Sequence, residues 1–240
     1  MPINLALLAQ YDTPTICNTI ELFEVRPRTE GYMDARIRAC FPEMPPAVGY
    51  ASTATIRCAF PKQEGDVYGT LDEQAALFST LPGPAMVVFQ DLDGPAVAAT
   101  FGEVMCSTYR AFGAVGIVTS GAARDLDQVR RLGFPAFSNG AICSHGYSHI
   151  GDLHGTVRVG GMAIHAGDLI HADANGVTTI PLEIAAEVAQ AAAEYVAAES
   201  IVLDYLKTGK PDAALFKQAR LAMIEAVAAL GKRVRSKRGE

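Results

Sequence analysis

The sequence contains no tryptophan, only 8% aromatic residues and only 19% charged ones. A core without many large rings has to be filled by aliphatic side chains, and half of the 240 residues are hydrophobic. No run of 18 or so apolar residues occurs, which predicts no membrane-spanning helix. The N-terminus lacks a basic stretch followed by an apolar one, so no secretory signal is expected. Cysteine is sparse and unpaired in pattern: Cys17, Cys40, Cys58, Cys106 and Cys143 are odd in number, dispersed, and form no Cys-x-x-Cys. They predict free thiols in a reducing cytoplasm. An excess of positive charge is also missing. The formal net charge is −6, which argues against general nucleic-acid binding. No Gly-x-Gly loop follows a first strand, no internal repeat is visible, and no tract is of low complexity.

What is present reads as alternating helices and strands. The length allows one large compact domain or two small ones. Residues 3–25 predict two helices with a break near Tyr11-Asp12-Thr13-Pro14. "ASTATIRCAF" alternates and is β-branched, which predicts a strand. "LDEQAALFSTL" predicts a short amphipathic helix, and "LPGPAMVVFQDLDG" a buried strand with turns at both ends. Further on, "GAVGIVTSGAARDLDQV" predicts the strand Ile117-Val118-Thr119, a tight turn, and a helix closed by Gly133. Residues 140–180 are rich in glycine and predict antiparallel strands joined by Gly and Asn turns. "PLEIAAEVAQAAAEYVAAESIVLDYL" predicts one long alanine-rich helix, "KTGKPDA" a linker, and "ALFKQARLAMIEAVAAL" a final helix. The order of elements favours an α/β fold, a layered β/β/α sandwich with mixed sheets and a C-terminal helical extension. The expected division is a core over 1–205 and an extension with a basic tail over 206–240.

The chemistry concentrates at the end of the strand 117–119. Arg124 and Asp125 stand in the turn, where an open sheet offers its ligand site. Each acidic residue nearby also has a plain structural explanation. Asp125 and Gln128 are spaced as a capping box, and Thr100 and Glu103 as another. Taken together the residues say more. A helix starting at Thr100 aims the N–H groups of Gly102, Glu103, Val104 and Met105 outward, and such a terminus binds anions. Gly102 lets a ligand approach that backbone. The planar fork of Arg124 suits a carboxylate. Asp125 supplies one hard oxygen ligand, enough for Mg²⁺, which keeps much of its hydration. The combination predicts a pocket for a small carboxylate chelated to a divalent cation.

The stretch "GEVMCSTYRAFGAVGIVTSGAARDLDQVRRLGFPAFSNG" resembles the core of the RraA-like / 4-hydroxy-4-methyl-2-oxoglutarate aldolase family. That family's signature is an acidic residue, twenty intervening residues, then Arg-Asp, which Glu103 and Arg124-Asp125 match. "GGMAIHAGDLIHADANGVTTIP" resembles its second block and "DTPTICNTIE" its N-terminal helix, so that the resemblance covers roughly residues 8–203. It implies a swivelling-domain-like fold and a cytoplasmic lyase that cleaves a 4-hydroxy-2-oxo acid to pyruvate. The cofactor would be Mg²⁺ or Mn²⁺, with oxaloacetate decarboxylation as a side activity. By the same resemblance Asp125 binds the cation and Arg124 the substrate. The Gly102–Met105 backbone holds the pyruvyl carboxylate, and Glu103 orders a water. A glutamate from a neighbouring subunit completes the site in a homotrimer or homohexamer. Glu199 is the best match for it, with Glu187 and Glu194 on the same helix. No lysine falls in the matching blocks, which argues against a Schiff-base route.

Two positions depart from the family pattern, which often has an acid where Gln128 stands and an aspartate where Asn18 stands. His145, His149 and His154 cluster in "CSHGYSHIGDLH". Gly146 and Gly151 argue for a substrate-facing loop or plain surface rather than zinc ligands, and Tyr147 is a further pocket candidate. His165 and His171 read as structural residues of alternating strands. The tail "GKRVRSKRGE" reads as a solvated, disordered end. The alternative function is that of a regulator without catalysis, since the family includes a ribonuclease-binding branch. That branch lacks the aspartate after the arginine, so Asp125 favours an enzyme.

Overall fold

Side-chain alternation along the central strands sets the architecture of the larger of two compact units. The computed structural model describes residues 2–61 and 70–236. In β3 (Ala85–Asp91), Ala85, Val87 and Phe89 join one apolar cluster, whereas Met86 and Val88 join another. β5 (Gly116–Thr119) divides in the same way between Ile117 and Val118, and β7 (Ala136–Ser138) between Ala136 and Phe137. Successive residues of a strand point to opposite faces. Both faces of this sheet are therefore apolar, and both must be covered.

The strands line up as β1 (Arg38–Ala39), β7, β5, β3, β2 (Ala47–Arg57), β11 (Leu169–Asp173) and β12 (Gly176–Ile180). β8 (His149–Gly151) adds antiparallel to the end of β2. Strands β2, β3, β5 and β7 run parallel, while β11 runs antiparallel to β2. Parallel neighbours need crossover connections. These carry α3 (Leu71–Leu77), α4 (Glu103–Ala111) and α5 (Leu126–Arg131). Leu71, Ala75, Met105, Tyr109 and Val129 of those helices pack with Val87, Phe89 and Ile117 on one face. On the other face, Val157, Val159 and Ile164 pack with Met86, Val88 and Val118. They come from the small antiparallel pair β9 (Val157–Val159) and β10 (Met162–Ile164). The layers run sheet, sheet, helix, as the order of elements predicts. A further parallel pair, β4 (Ala99–Phe101) with β6 (Ala122–Ala123), lies beside the turns that follow β3 and β5.

This unit spans Thr29–Ile180, and Met1–Arg28 forms the second unit together with Pro181–Glu240. In the second unit α1 (Leu5–Leu8) and α2 (Thr13–Glu21) are separated at Asp12, whose Oδ1 accepts the Thr15 N–H at 2.9 Å. α6 (Leu182–Leu206) buries Ile184, Val188, Ala191 and Ala192, a helical stripe whose small members allow close packing. α7 (Ala213–Ser236) packs along α6. The segment predicted as a linker is closed by a side chain, because the Tyr205 hydroxyl donates to the Asp212 C=O at 2.8 Å.

The first part of the tail, residues 231–236, is more ordered than predicted. Residues 231–236 continue α7, with Val234 buried. Arg233 pairs with Glu194 at 2.5 Å, and Arg235 donates to the Leu22 C=O at 2.8 Å. One apolar anchor and cations at a helix C-terminus favour the extra turn, which a reading by charge alone missed. Residues 237–240 of the tail lie outside the described residues. No helix among the described residues is long and apolar enough to cross a membrane.

Candidate functional site

β4 carries the chain into α4, and the junction differs from the predicted one. Thr100 and Phe101 belong to the strand, and Thr100 Oγ1 lies 2.9 Å from Thr119 Oγ1 in a buried pair. α4 therefore begins at Glu103 with Gly102 as its N-cap, so the predicted box from Thr100 to Glu103 does not form. A β-branched residue and an aromatic one paired against β6 outweigh the local capping signal.

The second predicted box fails for a more informative reason. Asp125 does precede α5, but it adopts a left-handed conformation (φ 53°) and its side chain makes no bond to its own helix. Its Oδ2 instead accepts the N–H of Glu103 at 3.0 Å. Asp125 thus caps α4, the neighbouring helix. The parallel pairing of β4 with β6 places the two turns side by side, and the Arg124 N–H donates to the Phe101 C=O at 3.0 Å.

Gly102 makes this arrangement possible. Its φ of −151° is ordinary extended backbone, so the requirement is for space. A Cβ there would collide with Asp125 Oδ2 and would lie 3.0 Å from Arg124 Nε. Arg124 Nε stands 3.9 Å from Asp125 Oδ2, and both side chains remain partly exposed. That is a loose ion pair. The fork of Arg124 makes no other ion pair among the described residues and can still receive a carboxylate.

The N–H groups of Val104 and Met105 precede the first helical bond of α4, from the Cys106 N–H to the Gly102 C=O at 3.1 Å. Met105 has its side chain in the core, so it can contribute to a site only through its backbone. Glu103 and Val104 are exposed in the first turn. The structure thus brings Gly102, Glu103, Val104, Met105, Arg124 and Asp125 into one place. A helix N-terminus, a guanidinium and a carboxylate with one oxygen uncommitted surround it.

A cleft at this place is also lined by His145 and Ser148. Their loop is pinned by hydrogen bonds from the Ala99 N–H to the Ser144 C=O at 2.7 Å and from the Tyr147 N–H to the Cys58 C=O at 3.0 Å. The other histidines go elsewhere. His149 lies on β8, and His154 Nε2 sits 3.1 Å from Ser52 Oγ, where burial lowers its pKa. Tyr147 is exposed and does not line the cleft. His171 is buried in β11, and His165 Nδ1 lies 3.0 Å from Thr156 Oγ1. Among the described residues no three His, Cys, Asp or Glu side chains are grouped to hold a metal.

The donor set at Asp125 therefore fits a cation that keeps most of its water, such as Mg²⁺, and not a structural zinc. The space left by the absent Cβ of Gly102 keeps the carboxylate at the helix terminus. Burial, followed by Cys40 and Asp125, holds the Cys106 thiol far above its ordinary pKa, and burial together with Asp91 pushes Cys58 up to about 11.

Glu199 belongs to the other unit, on α6. It hydrogen-bonds to Tyr195, whose hydroxyl is pushed up first by burial and then by the Glu199 charge. Asn18 also bonds this hydroxyl, and Glu21 adds a further negative charge there. An aspartate at position 18 would add one more carboxylate to the same cluster, which is a physical reason for the amide. Glu194 is committed to Arg233.

A second and larger cavity escaped the sequence reading. It lies at the C-terminal ends of β3, β5 and β7 and is lined by Arg36, Asp91, Ser120, Asn139 and Arg158. Asp91 Oδ2 is buried there without a hydrogen-bond partner among the described residues, and burial raises its carboxyl pKa.

The RraA-like family, described as Aldolase/RraA, matches residues 13–179, and the chain belongs to that family. A Halalkalibacterium halodurans protein named "Putative 4-hydroxy-4-methyl-2-oxoglutarate aldolase" is 35% identical over 107 residues, covering 44% of this chain and 50% of its own length. A Hahella chejuensis protein of the same name is 32% identical over 102 residues, covering 42% and 62%. The match thus spans only about half the length of these curated relatives. Among solved structures, an uncharacterized protein from Pseudomonas syringae pv. tomato aligns over 92% of this chain and 95% of its own, with a TM-score of 0.70 at 23% identity. A Streptomyces coelicolor member of the RNase ES inhibitor RraA protein family aligns over 82% and 94%, with a TM-score of 0.64 at 23% identity. At that identity the likeness is one of fold.

Proposed function

We propose that this protein is a divalent-metal-dependent carbon–carbon lyase that cleaves a 4-hydroxy-2-oxo acid, such as 4-hydroxy-4-methyl-2-oxoglutarate, to pyruvate. Oxaloacetate decarboxylation would be its companion activity. The observation that carries this reading is Asp125, a carboxylate held beside Arg124 at the N-terminus of α4. Asp125 would hold Mg²⁺ or Mn²⁺, which would supply Lewis-acid chemistry to the 2-oxo acid.

The rest is the work of the chain. Backbone N–H groups of Val104 and Met105 bind the pyruvyl carboxylate at the positive end of the helix. Arg124 clamps the same half and stabilises the negative charge that develops when the bond breaks. Aldol cleavage also requires removal of the proton on the distal hydroxyl, and Glu103 orients a water that accepts it. Decarboxylation needs no such base, so both reactions suit one site. Glu199, supplied by a neighbouring subunit of a homo-oligomer, completes the site. A ribonuclease-binding role does not call for a guanidinium and a carboxylate side by side at a helix N-terminus.

The test is pyruvate release, coupled to lactate dehydrogenase, from a panel of 4-hydroxy-2-oxo acids and oxaloacetate. Activity should vanish in EDTA and return with Mg²⁺ or Mn²⁺. Asp125→Asn should be inactive yet folded, because Asn tolerates the left-handed backbone and its carbonyl can still accept the Glu103 N–H. Full activity after verified metal removal would refute the mechanism, as would the absence of pyruvate from every substrate.

A further inference from the structure

Tyr195 and Glu199 stand one turn apart on α6, and Asn18 meets them from α2, which packs against α6. All three residues are half-buried. The Tyr195 hydroxyl is hydrogen-bonded to both Glu199 and Asn18, and the two bonds differ in kind. A carboxylate only accepts, so the phenol gives its single proton to Glu199. The phenol oxygen is then left as an acceptor, and the side-chain NH₂ of Asn18 is the group that donates to it. The bonds therefore run one way, from Asn18 to Tyr195 to Glu199. Burial, the Glu199 charge and the bond to Glu199 raise the hydroxyl pKa, while the bond from Asn18 lowers it, as that direction requires. Other carboxylates of this unit are neutralised by cations. Glu21 pairs with Arg28 at 3.4 Å and Glu194 with Arg233 at 2.5 Å, whereas Glu199 makes no ion pair among the described residues. One neutral donor holds it, and a carboxylate has further lone pairs to offer.

We infer that Tyr195 is a positioning residue for the lyase reaction: its hydroxyl, oriented by the Asn18 amide, aims the Glu199 carboxylate at the site of the neighbouring subunit. The inference rests on the proposed lyase reading and on the sharing of Glu199 between subunits. A glutamate on a helix surface samples several staggered rotamers. A shared site needs one of them, because a group misplaced by a fraction of its length loses most of its effect on the reaction. Tyr195 supplies the restraint from the same helix and exchanges no proton itself. Asn18 keeps that restraint undivided. An aspartate there could only accept, and it would compete with Glu199 for the one phenolic proton. Because the pyruvyl half is bound by Arg124 and the α4 terminus, the loss of this restraint acts on turnover and spares substrate binding.

The variant to make is Tyr195→Phe, which keeps the ring and removes the hydroxyl. It should assemble to the wild-type mass, and kcat for pyruvate release should fall about tenfold while KM stays within a factor of about three. Asn18→Asp should lower kcat about threefold in the wild type and have no further effect beside Tyr195→Phe, since both act through one hydroxyl. Mixed oligomers locate the effect. Co-expressed in equal amounts, Tyr195→Phe and inactive Asp125→Asn chains bring an intact Tyr195–Glu199 pair to an intact Asp125 in about a quarter of the sites, so activity should reach ~fivefold the average of the two variants assembled separately.

Wild-type kcat in Tyr195→Phe would overturn the inference, while pyruvate release by the wild type upheld the lyase reading. Mixed oligomers no more active than that average would confine Tyr195 to the folding of its own chain and overturn it as well. An equal loss from Asn18→Asp with and without the Tyr195 hydroxyl would be a plain charge effect and would remove Asn18 from the device. A wild type that releases no pyruvate would refute the lyase reading and this inference with it.

Discussion

Asp125 occupies a backbone conformation that costs an ordinary L-residue roughly 1–2 kcal/mol, and among non-glycine side chains Asp and Asn tolerate it best. The strain is accepted at a residue whose carboxylate leaves its own helix to cap another. Such outliers cluster where a side chain must be aimed. Gly102 is the complementary half of the device, since the carboxylate occupies the volume a Cβ would take. Gly102→Ala should therefore push the Asp125 carboxylate off the α4 terminus. The expected result is a loss of at least tenfold in both activity and Mg²⁺ affinity. Stability should fall by only about 1 kcal/mol, the scale of one hydrogen bond. Metal titration followed by calorimetry, beside thermal unfolding, separates the two effects. Wild-type Mg²⁺ affinity in Gly102→Ala would show that Asp125 need not sit at the helix terminus.

The elements behind the site have their own anchor. Tyr109 of α4 is fully buried, and its hydroxyl donates to Gln74 Oε1 of α3 at 2.5 Å. Gln74 Nε2 is already without a partner among the described residues. Removing the hydroxyl would leave a second buried polar atom unsatisfied, which costs about 1–3 kcal/mol. Tyr109→Phe should lower stability by that amount in denaturant unfolding. KM for substrate should stay near wild type, because α4 presents its N-terminus and not this face to the cleft. Adding Gln74→Leu should recover part of the loss, since two apolar partners strand no donor or acceptor. A Tyr109→Phe variant as stable as wild type would mean that the buried hydrogen bond contributes nothing net.

At the scale of the whole molecule, Arg124 and Asp125 lie in one compact unit and Glu199 in the other. The proposal that Glu199 serves a neighbouring subunit makes oligomerisation a condition of activity. Light scattering should give a mass three or six times the 25.4 kDa of one chain. Asp125→Asn and Glu199→Ala should each be inactive alone. Co-expressed in equal amounts, they should regain activity, because random assembly into rings leaves about a quarter of the shared sites with both residues intact. A monomer at working concentration would sink the shared site, and so would full activity of Glu199→Ala alone.

Much of this was legible in the residues themselves. The apolar alternation of "AMVVFQD", the stop at Gly133 and the alanine stripe of α6 are local patterns, and local patterns set where strands and helices run. The spacing of Glu103 to Arg124-Asp125 likewise marked the family. What the sequence alone misassigned were the helix start at Thr100 and the capping partner of the Asp125 side chain. Both carry genuine capping spacings, and both were overruled by the pairing of β4 with β6, which draws Thr100 into a strand and lays one turn against the next. That pairing also decides which helix Asp125 caps, why position 102 must lack a Cβ, and that His145 rather than His149 or His154 reaches the cleft. A periodic pattern reports the face on which a residue lies within its own element. Which turn lies beside which depends on closing segments about twenty residues or more apart, a loop-closure question settled by the packed core and not by neighbours in the chain.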